Sequence, residues 1–132
     1  MDGHQPLDLM KARISNMVDL FIENPYHHEL IREVAYKNID TPTYERDIEP
    51  LKQSIKTSLK YTQMQVSMGV DEGTVKSLDA RMVHIAMIGI AQIFGANPEM
   101  VAFMFDNEES VRSLRERYIE FACDLFQNGL KA

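Results

Sequence analysis

A chain of 132 residues with 45% apolar and 26% charged residues can bury a core without disulfide or metal staples and is too apolar to be a disordered segment. Twenty acidic against fourteen basic residues leave a formal net charge of −6, which excludes the phosphate-neutralising surface of a protein that grips nucleic acid by itself. A single cysteine, Cys123, excludes an internal disulfide; with no leader pattern at the start and no apolar run approaching the roughly 18 residues of a membrane span, the expectation is one domain, 1–132, in a reducing cytoplasm, off the membrane.

Leu7, Met10, Ile14, Met17 and Phe21 recur in steps of three and four, so a first helix is predicted from Pro6 to Glu23. Asn24 and Pro25 punctuate, and a second helix follows with Leu30, Ile31, Val34 and Ala35 on its apolar face, ending near Asn38. Thr41 and Pro42 open another turn, Pro50 breaks or restarts it, and Leu51, Ile55, Leu59, Thr62 and Val66 keep helical spacing up to a stop at Gly69. Residues 70–77 have no period and read as a surface loop.

Asp79 is placed to cap a helix through Gly95 that is apolar almost all round, and such a helix is expected to be buried on more than one side. Asn97 and Pro98 start a short turn with Met100, Val101, Phe103 and Met104. The last helix is predicted from about Glu108 to Asn128, stopped by Gly129. Its stripe is Val111, Leu114, Tyr118, Phe121 and Leu125, widened by Ile119, Ala122 and Phe126, so it should touch two neighbours. The fold class is all-α.

The sequence holds no convincing catalytic or metal pattern. His4, His27, His28 and His84 lack partners at ligand spacing, no Glu-x-x-His or cysteine pair occurs, and no phosphate loop or nucleophile elbow is present. No cofactor and no enzyme activity are therefore expected. Cys123 has no base in its own helical turn and reads as an inert thiol. His84, on an otherwise apolar helix, needs a partner, which is either another side chain or a ligand. Nine methionines suit an adaptable cavity as well as an ordinary core. Gly89, centred in the stripe Met82, Ala86, Gly89 and Ile93, leaves room for another helix to approach closely.

Periodicity points a set of residues inward, and these are the candidate ligand-binding residues: Ile31, Ile55, Leu59, Met87 and Phe94, with His28, Thr62 and His84 as polar members. An apolar or amphipathic small molecule is the expected ligand.

The local wording FIENP at 21–25, HELIREVA at 28–35, YERDIEPL at 44–51, GTVKSLDARMVHIAMIG at 73–89 and the ending QNGL at 127–130 resembles TetR-type transcriptional regulators over nearly the whole chain. The resemblance implies the effector-binding and dimerisation half of such a regulator, starting at the family's fourth helix. It implies a helix-turn-helix headpiece outside this sequence, so that DNA is a partner only through that headpiece. These residues are expected to be part of a longer regulator rather than a natural headless relative. The last two long helices would pair with those of a second copy in a four-helix bundle, through Met82, Ala86, Gly89 and Ile93 with Leu114, Tyr118, Phe121 and Leu125. Ligand would then act by population shift on the headpieces. Two other readings stay open. One is a stand-alone helical adaptor presenting residues 82–94 to a different protein. The other is a metal or haem bundle using His84.

Overall fold

A computed structural model describes residues 6–24 and 42–132. They form five helices, α1 (Pro6–Glu23), α2 (Pro42–Glu72), α3 (Ala80–Gly95), α4 (Pro98–Met104) and α5 (Val111–Leu130). The only β pairing among the described residues is one antiparallel bridge between Val75 and Lys131. The architecture is all-α, as the periodicity requires. The helix expected after Asn24 lies outside the described residues, and His28 and Ile31 with it.

α1 is the hub, packing against α2, α3 and α5. Its boundaries match the expectation, but its buried stripe is Met10, Ile14, Val18 and Phe21, with Leu7 and Met17 only half-buried. A helix enclosed by three neighbours buries a wider arc than a two-sided stripe. The core is completed by Val66 of α2, by Val83, Met87, Ala91 and Phe94 of α3, and by Leu114, Ile119, Cys123, Phe126 and Leu130 of α5. Gly95 lets α1 approach the end of α3: a Cβ there would lie 2.7 Å from Phe21 Cβ and 3.0 Å from the Val18 carbonyl oxygen.

Pro50 does not break α2, which runs through it for 31 residues. Proline removes one intrahelical hydrogen bond, and the bonds of the turns on either side carry the helix past it. Nor does α2 stop at Gly69. The stop is Gly73, in the left-handed region at φ 77°. Gly73 N–H donates to the Val70 carbonyl (3.1 Å) and Thr74 N–H to the Gly69 carbonyl (2.8 Å), the pair of bonds that closes a helix on a left-handed residue. Gly69 instead accommodates a neighbour, since a Cβ there would fall 2.3 Å from Val75 Cγ2.

α3 begins as predicted, the Asp79 carboxylate accepting from Arg81 N–H at 2.9 Å. Arg81 also grips that carboxylate through its side chain, and together these hydrogen bonds draw the Asp79 pKa down to about 2. α5 starts later than Glu108: Asp106 and Asn107 take left-handed φ of 56° and 58°, and Ser110 then caps α5 in a reciprocal box with Ser113. It runs past Gly129 because Leu130 is buried and its carbonyl accepts from Lys76 N–H at 2.8 Å. α1 is tied to α5 by Asp19–Arg115 (2.5 Å) and Glu23–Arg112 (2.9 Å). No single helix among the described residues is long and apolar enough to cross a membrane.

Candidate functional site

Two features of the described residues call for a role. The first is a polar network between α1, α2 and α3. Thr62 and His84 are the buried polar side chains among the described residues, and they meet: Thr62 Oγ1 lies 2.8 Å from His84 Nδ1. Arg13, on α1, donates through Nη1 to Thr62 Oγ1 (2.5 Å) and Gln65 Oε1 (3.2 Å), and through Nη2 to the carbonyl and the hydroxyl of Ser58 (both 2.9 Å). Met87 Sδ lies 4.0 Å from the Thr62 hydroxyl.

The Thr62 hydroxyl bears on the state of the histidine. It has one proton, and among the acceptors it meets in the described residues His84 Nδ1 is the nearest, at 2.8 Å. The competing acceptors, the Ser58 carbonyl at 3.4 Å and Met87 Sδ at 4.0 Å, are poor ones. With the Thr62 proton on Nδ1, the neutral imidazole carries its own N–H on Nε2. Burial and then the Arg13 charge push its pKa below the usual value, which agrees. The partner that His84 needed is a side chain, Thr62.

The second feature is an apolar surface built from α3, α4 and α5. On α3, Met82 is 67% exposed and Ile85 65%, with Ala86, Gly89 and Ile93 exposed beside them. On α5, Phe121 is 67% exposed and Leu125 64%. Phe103 and Met104 of α4 are exposed as well. Between the helices opens a cavity of about 460 Å³, lined by Ile93, Phe94, Met100, Met104, Tyr118 and Phe121 among others. Tyr118 closes its inner wall. Its ring stacks on Phe94 with centroids 4.1 Å apart and planes at 4°, and its hydroxyl donates to the Ile90 carbonyl.

The expected ligand set is divided by this arrangement. Thr62, His84 and Met87 come together, Leu59 is half-buried, Ile55 is exposed, and Phe94 faces α5 rather than the network. The expected interface set divides too. Met82, Ala86, Gly89, Ile93, Phe121 and Leu125 share the open surface, whereas Leu114 is 3% exposed in the core and Tyr118 half-buried. α3, expected to be covered on more than one side, is covered on one: no other element of the described chain lies over Met82 and Ile85.

Arg13 is the member of the network that periodicity missed. It lies three residues after Met10 and four before Met17, on the apolar side of α1, and a cation at such a position needs acceptors within the fold. Cys123 is buried, and burial raises its thiol pKa. Among the described residues no three His, Cys, Asp or Glu side chains gather as a metal site.

The sequence profile of the tetracyclin repressor-like, C-terminal domain family matches residues 4–132. The chain belongs to that family of regulatory domains, and its all-α architecture is the one the family implies. Comparison with curated protein sequences gave no match.

Proposed function

We propose that residues 1–132 form one domain, the effector-sensing and homodimerising part of a TetR-like transcriptional regulator, with DNA bound by a headpiece outside this sequence and no chemistry catalysed. The observation that carries the reading is the uncovered apolar surface of α3 and α5, in a chain that belongs to a family of regulatory domains. Met82, Ile85 and Ile93 of α3 and Phe121 and Leu125 of α5 are large apolar side chains exposed to water, as association surfaces present them. A second copy presenting the same two helices completes a four-helix bundle, whose interface would bury on the order of 1,600 Å². Sensing falls to the interior network of Arg13, Thr62 and His84, placed where α1, α2 and α3 meet. A ligand that favours one placement of these helices shifts the relative position of the two headpieces and so the affinity for DNA.

Sedimentation equilibrium tests the dimer. Twice the chain mass is expected at micromolar concentration, and Leu125→Asp should halve it while leaving the helical signal intact. Leu125 is the clean probe because Leu114, in the same stripe, is spent on the protomer core. A monomeric wild-type chain would remove the dimer from the reading.

A further inference from the structure

The surroundings of Arg13 differ from those of the other arginines whose side chains are described. Arg81 holds Asp79, Arg112 holds Glu23, Arg115 holds Asp19 and Arg117 holds Glu109, each a carboxylate at 2.5 to 2.9 Å. Arg13 is half-buried where three helices meet, and that burial lowers its pKa. Yet every acceptor it meets among the described residues is neutral: a threonine hydroxyl, a glutamine amide, a serine hydroxyl and a main-chain carbonyl. In a chain with twenty carboxylates, this half-buried cation is held by neutral acceptors alone among the described residues, which leaves its charge without a counter-ion there.

The network also leaves donors unspent. Arg13 uses Nη1 and Nη2, and its Nε–H has no acceptor among the described residues. His84, 5% exposed, has Nδ1 committed to Thr62 and its N–H on Nε2, for which no acceptor is found among the described residues. Buried donors normally find a partner. Thr62 holds the two residues on one oxygen atom, so a positive guanidinium and a neutral imidazole donor are kept side by side. Such a pair selects an oxygen acceptor, and a charged one above a neutral one.

We propose that the effector is a carboxylate-bearing small molecule whose carboxylate pairs with Arg13, with His84 Nε2–H as the second donor. The inference rests on the sensing reading above and narrows it to acids. Carboxylate rather than amide or ammonium follows from the donor-only character of both groups. An amide offers a single weak acceptor, and a cation would be repelled by Arg13.

The test uses matched pairs on the 132-residue chain: octanoate with octanamide, benzoate with benzamide, and phenylacetate with phenylacetamide. Octylamine serves as the cationic control, and melting temperature and calorimetric affinity are read for each. At least one acid should raise the melting temperature and bind ten-fold or more tightly than its amide. That advantage should shrink with added salt, fall at least ten-fold in Arg13→Gln and persist in part in Arg13→Lys. Circular dichroism verifies that each variant folds; if Arg13→Gln does not, the acid-to-amide ratio on wild-type protein decides by itself. An amide or amine that binds as well as the acid, or an acid whose affinity survives in folded Arg13→Gln, overturns the carboxylate assignment and leaves sensing intact. Failure of every compound to bind overturns both.

Discussion

The inner face of α3, with Val83, Met87, Ala91 and Phe94, and its outer face, with Met82, Ile85, Ala86, Gly89 and Ile93, are equally apolar and belong to one sixteen-residue helix. The first is removed from water by α1, α2 and α5, and the second is open. Hydrophobicity alone therefore does not assign a residue to the core of its own chain. What distinguishes the faces is texture: the inner face mixes sizes around a buried histidine, whereas the outer one places alanine and glycine between long methionine and isoleucine side chains. Small residues between large ones suit a helix approaching from outside.

The contrast breaks most visibly by truncating each face in turn. Met87→Ala, at 0% exposure, should cost about 2 to 5 kcal/mol in denaturant unfolding through lost burial and the cavity left behind. Ile85→Ala should change the stability of the dilute monomer by less than about 0.5 kcal/mol while weakening self-association. Equal losses at both positions would show that the outer face is covered within the chain.

The glycines sharpen it further. Gly95→Ala sets a methyl group against Phe21 Cβ and the Val18 carbonyl, and such overpacking costs about 1 to 3 kcal/mol. Gly89 has no atom within 4 Å of the position a Cβ would take, so Gly89→Ala should stabilise the monomer by up to about 1 kcal/mol, the usual difference in helix propensity. If that same variant dissociates more readily in sedimentation, close helix approach at Gly89 is established; if it associates as before, the helices are not in contact there.

A smaller effect separates the interior network from both faces. His84 is held neutral by burial and by Arg13, so its folded pKa lies below the unfolded one. As pH falls below about 6.5, the unfolded chain takes up a proton that folded His84 refuses, and stability declines. The stabilisation is complete above that pH and is lost as pH falls toward the folded pKa. The lowered carboxylates of Asp19 and Asp79 act in a lower window, below about 4. Urea unfolding of wild type and His84→Gln between pH 7 and 5 should show a steeper decline in the wild type; parallel curves would mean that the imidazole titrates normally. The smallest effect concerns the α5 cap. Ser110→Ala should lose about 1 kcal/mol, with no change in self-association.

Much of this fold is legible in the sequence where one residue has one physical role. The limits of α1 and the Asp79 cap follow from spacing and capping chemistry, and their partners are local. The errors fall where two roles compete. Gly69 looks like the helix stop, but Gly73 takes the left-handed φ and Gly69 makes room for Val75, a contact that does not appear in local sequence. Leu114, Tyr118, Phe121 and Leu125 form one stripe by spacing, but α5 turns Leu114 to its own core and Phe121 and Leu125 outward. Thr62, His84 and Met87 were readable as an inward set because each sits at a helical register. Arg13 was not, because its acceptors on α2 are 45 to 52 residues away in the chain.

The clasp of Tyr118 on Phe94 also gives the molecule an optical reporter. The chain has no tryptophan, so its aromatic spectrum above the phenylalanine region belongs to tyrosine. Tyr61 is 55% exposed, whereas Tyr118 is held flat against a second ring with its hydroxyl tied to a main-chain carbonyl. Immobilised in a chiral setting, it gives a stronger near-ultraviolet dichroism than a freely rotating phenol. Burial raises its pKa, so it ionises later than an exposed tyrosine on alkaline titration. Anything that occupies the neighbouring cavity or docks over Phe121 alters that band, and the seam between α3 and α5 can be followed without a label.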